Sequence, residues 1–178
     1  MRAVVFAASF ALAAAPFSAV TAQSDAELSK QIVNDPTNPQ VTGAKASLRD
    51  DPKAQGGKAL RIDVPHKGSN PWDSTVGGSI DKPIKRGDNL VLVFTARLEK
   101  GANGPTTTLP YNAIQLASAP YSTVMSGSGE IGPEWKQLQV TGKADRDYPA
   151  GALKVTIQLA TAKQIVDFGP IILLDRGQ

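Results

Sequence analysis

Few residues in this chain could do covalent or metal chemistry. The sequence holds one histidine, His66, and no cysteine. A Ser-His-Asp or Cys-His arrangement could be built only on His66, which sits in Pro65-His66-Lys67-Gly68 beside no Gly-x-Ser-x-Gly element. Zinc sites of the usual nitrogen and sulfur kind are excluded by the same count. No glycine loop suited to phosphate is present, and Gly77-Gly78 is a lone pair inside a strand pattern. Carboxylates remain: Asp63, Asp73, Asp81, Asp88, Glu99, Glu130, Glu134, Asp145, Asp147, Asp167 and Asp175 are spread over turns and strand edges. Glycoside hydrolysis needs two of them facing each other at about 5 Å or about 6.5–9.5 Å. Spacing singles out no such pair, and solvated surface acids are the plainer reading.

Binding chemistry has better candidates. Arg97, Gln115 and Gln158 each fall at the outward parity of an alternating segment. Side by side on one sheet surface they would offer a guanidinium and two planar amides, groups suited to pairing with hydroxyls in a shallow groove. A solvated polar face is the alternative. Trp72 sits in Ser69-Asn70-Pro71-Trp72-Asp73, a turn-like segment, where it either presents a flat plate for stacking on a sugar ring or plugs the end of the fold. Tyr121 is a second stacking candidate. Trp135 follows Gly132-Pro133-Glu134 and opens a strand, with a place at the core edge expected.

The elements that must hold these groups are strands. Leu60, Ile62 and Val64 alternate with Arg61 and Asp63. Leu90, Leu92, Phe94 and Ala96 alternate with Val91, Val93, Thr95 and Arg97, and Leu153, Val155, Ile157 and Leu159 alternate with Lys154, Thr156, Gln158 and Ala160. Val91 and Val93 make the second segment apolar on both faces, so it is expected to be central. Shorter strands are expected at Gly77–Ile80, Asn112–Ala117, Tyr121–Met125, Lys136–Thr141, Gln164–Phe168 and Ile171–Leu174. Turn formers separate them, among them Lys85-Arg86-Gly87-Asp88, Gly127-Ser128-Gly129 and Tyr148-Pro149-Ala150-Gly151. Many short strands without an amphipathic helix predict an all-β, two-sheet antiparallel sandwich.

Ahead of the strands the pattern differs. Arg2, an uncharged apolar run from Val4 to Ala15, Pro16, and Val20-Thr21-Ala22 read as a signal peptide over residues 1–22, too short for a membrane span. Removing 22 of 178 residues leaves 156, a single-domain length. The formal charge of +3 then falls to +2, with bases scattered among acids, so no nucleic-acid surface is indicated. A cysteine-free exported domain folds on core packing alone and suits a bacterial periplasm or culture fluid as well as a eukaryotic secretory route. A short helix is expected from Ser24 to Gln31 within an N-terminal segment, 23–40, ending at Asn34-Asp35-Pro36-Thr37-Asn38-Pro39. The sandwich is expected over 41–178.

Several of these elements also carry a resemblance. Gly57-Lys58-Ala59-Leu60-Arg61-Ile62, Asn70-Pro71-Trp72-Asp73, Lys82-Pro83-Ile84-Lys85-Arg86-Gly87-Asp88, the strand from Phe94 to Arg97, Gly132-Pro133-Glu134-Trp135-Lys136, Asp147-Tyr148-Pro149-Ala150-Gly151 and Ile165-Val166-Asp167-Phe168-Gly169-Pro170-Ile171 follow in order. In this the chain resembles carbohydrate-binding modules of the cellulose- and xylan-binding type, over roughly residues 41–175. The resemblance implies a galactose-binding-like jelly roll with a concave face that binds glycan chains. It would place Arg97, Gln115 and Gln158 on that face, with Trp72 or Tyr121 stacking. It also implies a possible structural calcium near the termini, for which Asp175 is the nominated carboxylate, and no other cofactor. The expectation is an exported, non-catalytic protein that binds a polysaccharide or oligosaccharide, neither spanning a membrane nor binding nucleic acid. A structural or protein-interaction sandwich of the envelope is the first alternative. A small hydrolase or lyase is the second.

Overall fold

The structure, a computed structural model, describes residues 27–178. The expected signal peptide and the start of the expected helix lie outside the described residues; residues 27–31 are helical. A compact unit then runs from Gln31 to Gln178. It begins earlier than residue 41 because Val33 enters the core and Asn34 joins the strands. The Asn34 amide donates to the Ile171 carbonyl at 2.9 Å and accepts from the Leu173 N–H at 2.7 Å.

Among the described residues, ten strands form two five-stranded antiparallel sheets. The first sheet contains β1 (Gln40–Thr42), β4 (Thr75–Ser79), β9 (Leu153–Gln158), β6 (Thr107–Leu116) and β7 (Thr123–Ile131), in that spatial order. The second contains β2 (Lys45–Asp50), β3 (Lys58–Val64), β10 (Gln164–Asp175), β5 (Asn89–Gly101) and β8 (Lys136–Lys143). Alternate residues point inward from each. Leu90, Leu92, Phe94, Ala96 and Leu98 of β5 meet Val76, Ile114, Val155 and Ile157 of the first sheet in one core cluster. Phe94 and Phe168 lie 6.0 Å apart at their ring centres, a tilted aromatic pair inside the second sheet's inner face. The architecture is a jelly-roll-like β-sandwich, the fold expected from the alternation.

Three details differ from the sequence expectation. The segments Gln164–Phe168 and Ile171–Leu174 are one strand, with an irregularity at Gly169-Pro170 where the pairing with β5 shifts register. The turn expected at Gly127-Ser128-Gly129 is instead the middle of β7. A Cβ on Gly127 would come within 2.9 Å of Val140, and one on Gly129 within 2.7 Å of Leu138. Glycine is therefore present there so that β7 can close against β8 of the facing sheet. Finally, β2 has no buried residue and so carries no alternation to read.

Candidate ligand-binding site

The outward face of the first sheet carries a cleft of about 720 Å³, against about 270, 280 and 260 Å³ for three hollows elsewhere. Strand register explains its shape. Gly77, Thr156 and Ala113 sit abreast on β4, β9 and β6, and their small side chains leave a depression across the middle of the sheet. At one end of the depression Thr75 pairs with Gln158; at the other Lys154 pairs with Gln115. The four-residue step from Lys154 to Gln158 along β9 makes the floor roughly 13 Å long.

An aromatic side chain stands at each end. Trp72, 58% exposed, projects from a 3-10 turn at Pro71–Asp73. That turn is held by its own sequence: Asp73 accepts from the Asn70 N–H at 2.9 Å, and the Pro71 carbonyl accepts from the Ala160 N–H at 3.0 Å. The Ser74 hydroxyl adds a bond to the Gly43 carbonyl at 2.8 Å. Tyr121, 52% exposed, lies in the loop between β6 and β7 with φ of 56°. A non-glycine residue in the left-handed region is uncommon and carries a cost that its surroundings must offset. Here it aims the ring at the cleft, where Lys154 Nζ sits 5.0 Å from the ring centre. Tyr111, hydrogen-bonded to Thr123 at 2.5 Å, completes the wall beside Gln115.

The polar groups on the floor are uncommitted. Gln115, Thr156 and Gln158 make no side-chain hydrogen bond to any other described residue. Their amides and hydroxyl can each donate and accept, and so match the mixed capacity of sugar hydroxyls. The lining also contains no Asp or Glu.

Four of the five nominated binding residues, Trp72, Gln115, Tyr121 and Gln158, thus share one cleft. Arg97 does not, and its expected placement is corrected. Its strand, β5, belongs to the second sheet, so Arg97 faces outward on the opposite side of the sandwich. There it serves a closed ion network centred on Asp167, which is 1% exposed. Arg61 Nε and Nη2 donate to the two Asp167 oxygens at 2.7 and 2.9 Å, and Arg97 Nε and Nη2 donate to Oδ2 at 3.1 and 3.0 Å. Asp51 and Glu99 flank the guanidiniums, and Arg97 lies 5.3 Å above the Trp135 ring. Burial works against charge on Asp167, but the hydrogen bonds from Arg61 and Arg97 outweigh it and hold the carboxyl below its ordinary value. The same bond to Asp167 raises the pKa of Arg61, outweighing burial, which works the other way. Trp135 is therefore the bed of this network, and Val91 and Val93 are on the same face, away from the cleft.

Asp175 ends β10 beside Asp88. Burial, and then the neighbouring Asp88 carboxyl, raise its affinity for a proton despite a bond from the Gly177 N–H. Two carboxyls suit a hard cation in kind and fall short of a full oxygen shell in number. Among the described residues no group of three or more His, Cys, Asp or Glu could hold a metal ion. His66 is exposed, away from the cleft lining.

Sequence reasoning named the ends of the cleft and passed over Lys154, Thr156 and Tyr111. Lys154 and Thr156 share outward parity with Gln158 on one strand, and that signal was readable.

Comparison with solved structures places the fold. A CBM4 carbohydrate-binding module matches with a TM-score of 0.62 at 20% identity, over 79% of this chain and 96% of that one. The N-terminal cellulose-binding domain of Cellulomonas fimi β-1,4-glucanase C matches at 0.59 and 19% identity, over 82% and 93%. The CBM22-1 xylan-binding domain of Paenibacillus barcinonensis Xyn10C matches at 0.57 and 13% identity, over 79% and 87%. No protein-family model and no curated protein matches the chain. The chain has the fold of these modules, as the resemblance implied.

Proposed function

We propose that this protein binds a glycan chain in the cleft of the first sheet and does no chemistry on it. The observation that carries the reading is the pairing of two exposed, backbone-anchored aromatics, Trp72 and Tyr121, with uncommitted amides between them. Sugar rings present one apolar face and a rim of hydroxyls; the aromatics suit the first, and Gln115, Gln158 and Thr156 suit the second. The solved modules of the same fold include cellulose- and xylan-binding domains, which supports the same ligand class. A lining without Asp or Glu lacks the carboxylate pair that a glycosidase of the usual kind needs.

Export is part of the proposal, resting on the signal-peptide pattern of residues 1–22. No helix among the described residues is long and apolar enough to cross a membrane. A calcium ion on Asp175, with Asp88 as second donor, is a separate proposal; calcium should raise Tm relative to EDTA, and Asp175→Asn should abolish the difference.

Affinity electrophoresis and calorimetry against cellulose derivatives, xylan, β-glucan, pectin and exopolysaccharides test the main reading. Retardation by at least one is expected, without release of reducing ends or unsaturated products. Absence of binding throughout the panel overturns it, and product release replaces it with an enzyme.

A further inference from the structure

The cleft has one formal charge in its lining, and that charge has no ion-pair partner among the described residues. Lys154 Nζ forms no ion pair with any described residue, whereas Lys58 reaches Asp50 at 2.8 Å and Lys30 reaches Glu27 at 2.7 Å. Its half-buried stem rises from β9 between Ser79 and Gln115, and the ammonium is held over the Tyr121 ring. The remaining lining is Thr, Gln, Pro, Tyr and Trp. A fixed cation in a wall of neutral groups is stabilised by a ring quadrupole on one side and open to an anion on the other.

Resting on the glycan reading above, we infer that the ligand is an acidic glycan, a chain of sugars bearing carboxylates. A uronate ring stacked on Tyr121 carries its carboxylate at the ring's edge, within reach of Lys154 Nζ and the Gln115 amide. The ammonium then gains a charge-assisted hydrogen bond, and no acid in the lining repels the incoming carboxylate. On a neutral chain Lys154 would only donate to hydroxyls, and binding would show little dependence on salt.

The test is calorimetric titration of polygalacturonate, alginate and glucuronoxylan, each against its own methyl-esterified or carboxyl-reduced form, with neutral xylan and β-glucan alongside. At least one acidic glycan is expected to bind about tenfold more tightly than its uncharged counterpart at low salt, the preference shrinking as sodium chloride is raised. Lys154→Gln should bring the acidic form down to the affinity of the uncharged one, and Lys154→Arg should keep the preference. The salt series on the unaltered protein reads the same charge should Lys154→Gln not fold. Equal affinity for acidic and uncharged forms, binding of neutral glycans alone, or a preference that survives in folded Lys154→Gln overturns this inference and leaves the glycan reading standing. Silence from every glycan overturns both.

Discussion

The two outward faces of the sandwich use similar residues for different ends. On the second sheet, Arg61, Arg97, Asp167, Glu99 and Asp51 satisfy one another, and Trp135 is covered by a guanidinium. On the first sheet, Gln115, Thr156 and Gln158 have no side-chain partner among the described residues, and Trp72 and Tyr121 present more than half their surface to solvent. Planar polar groups and an aromatic occur on both. Whether a face is available to a ligand is decided by how much of its hydrogen-bonding capacity the protein has already used. The second face therefore acts on stability, and the first is the face on which the proposed binding rests.

That division can be broken by substitution, beginning with the largest effect. Asp167→Ala removes the buried carboxylate that Arg61 and Arg97 share, leaving these half-buried guanidiniums only Glu99 and Asp51, and should cost about 3 kcal/mol in chemical denaturation. Glycan affinity of the folded fraction should be unaltered; a loss of affinity would merge the two faces. Trp72→Ala should do the reverse, weakening binding by about 2 kcal/mol, roughly thirtyfold, with Tm nearly unmoved because the side chain is exposed. Arg97→Ala should lower stability by about 1–3 kcal/mol and leave retardation in glycan gels intact. Gln158→Ala should weaken binding by about 1 kcal/mol.

The smallest effect concerns acid. Asp167 has a depressed pKa in the folded state, so its contribution is complete above the ordinary carboxylate value and is lost as pH falls through the depressed one. Asp175 has a raised pKa, so its contribution is present in acid and lost as pH rises through the ordinary value to the raised one. In EDTA, Asp175→Asn should therefore raise Tm slightly at neutral pH, with the gain over the unaltered protein vanishing in acid. A gain that persists in acid would show that the asparagine stabilises by other contacts.

How far the residues alone revealed this varies with the physics behind each feature. The alternations at Leu60–Val64, Leu90–Arg97 and Leu153–Leu159 were plain, since burial on one face forces period two. Parity also put Gln115 and Gln158 outward. It could not say which sheet a strand joins, and Arg97 went to the wrong one for that reason. Asp167 was visible only as a surface acid, although an aspartate inside Ile165-Val166-Asp167-Phe168 sits in an apolar run that calls for a buried partner. Strand β2 left no trace because an edge strand without buried residues has no pattern to show.

The glycines that join β7 to β8 have a consequence for the thermodynamics of recognition. Gly127 and Gly129 let β7 rest directly on Val140 and Leu138, and the loop that carries Tyr121 leads straight into that strand. The ring is thereby mounted next to a closely packed strand, on the face where the glycan is proposed to bind. Ordering losses on association should then fall on the sugar chain rather than on the protein.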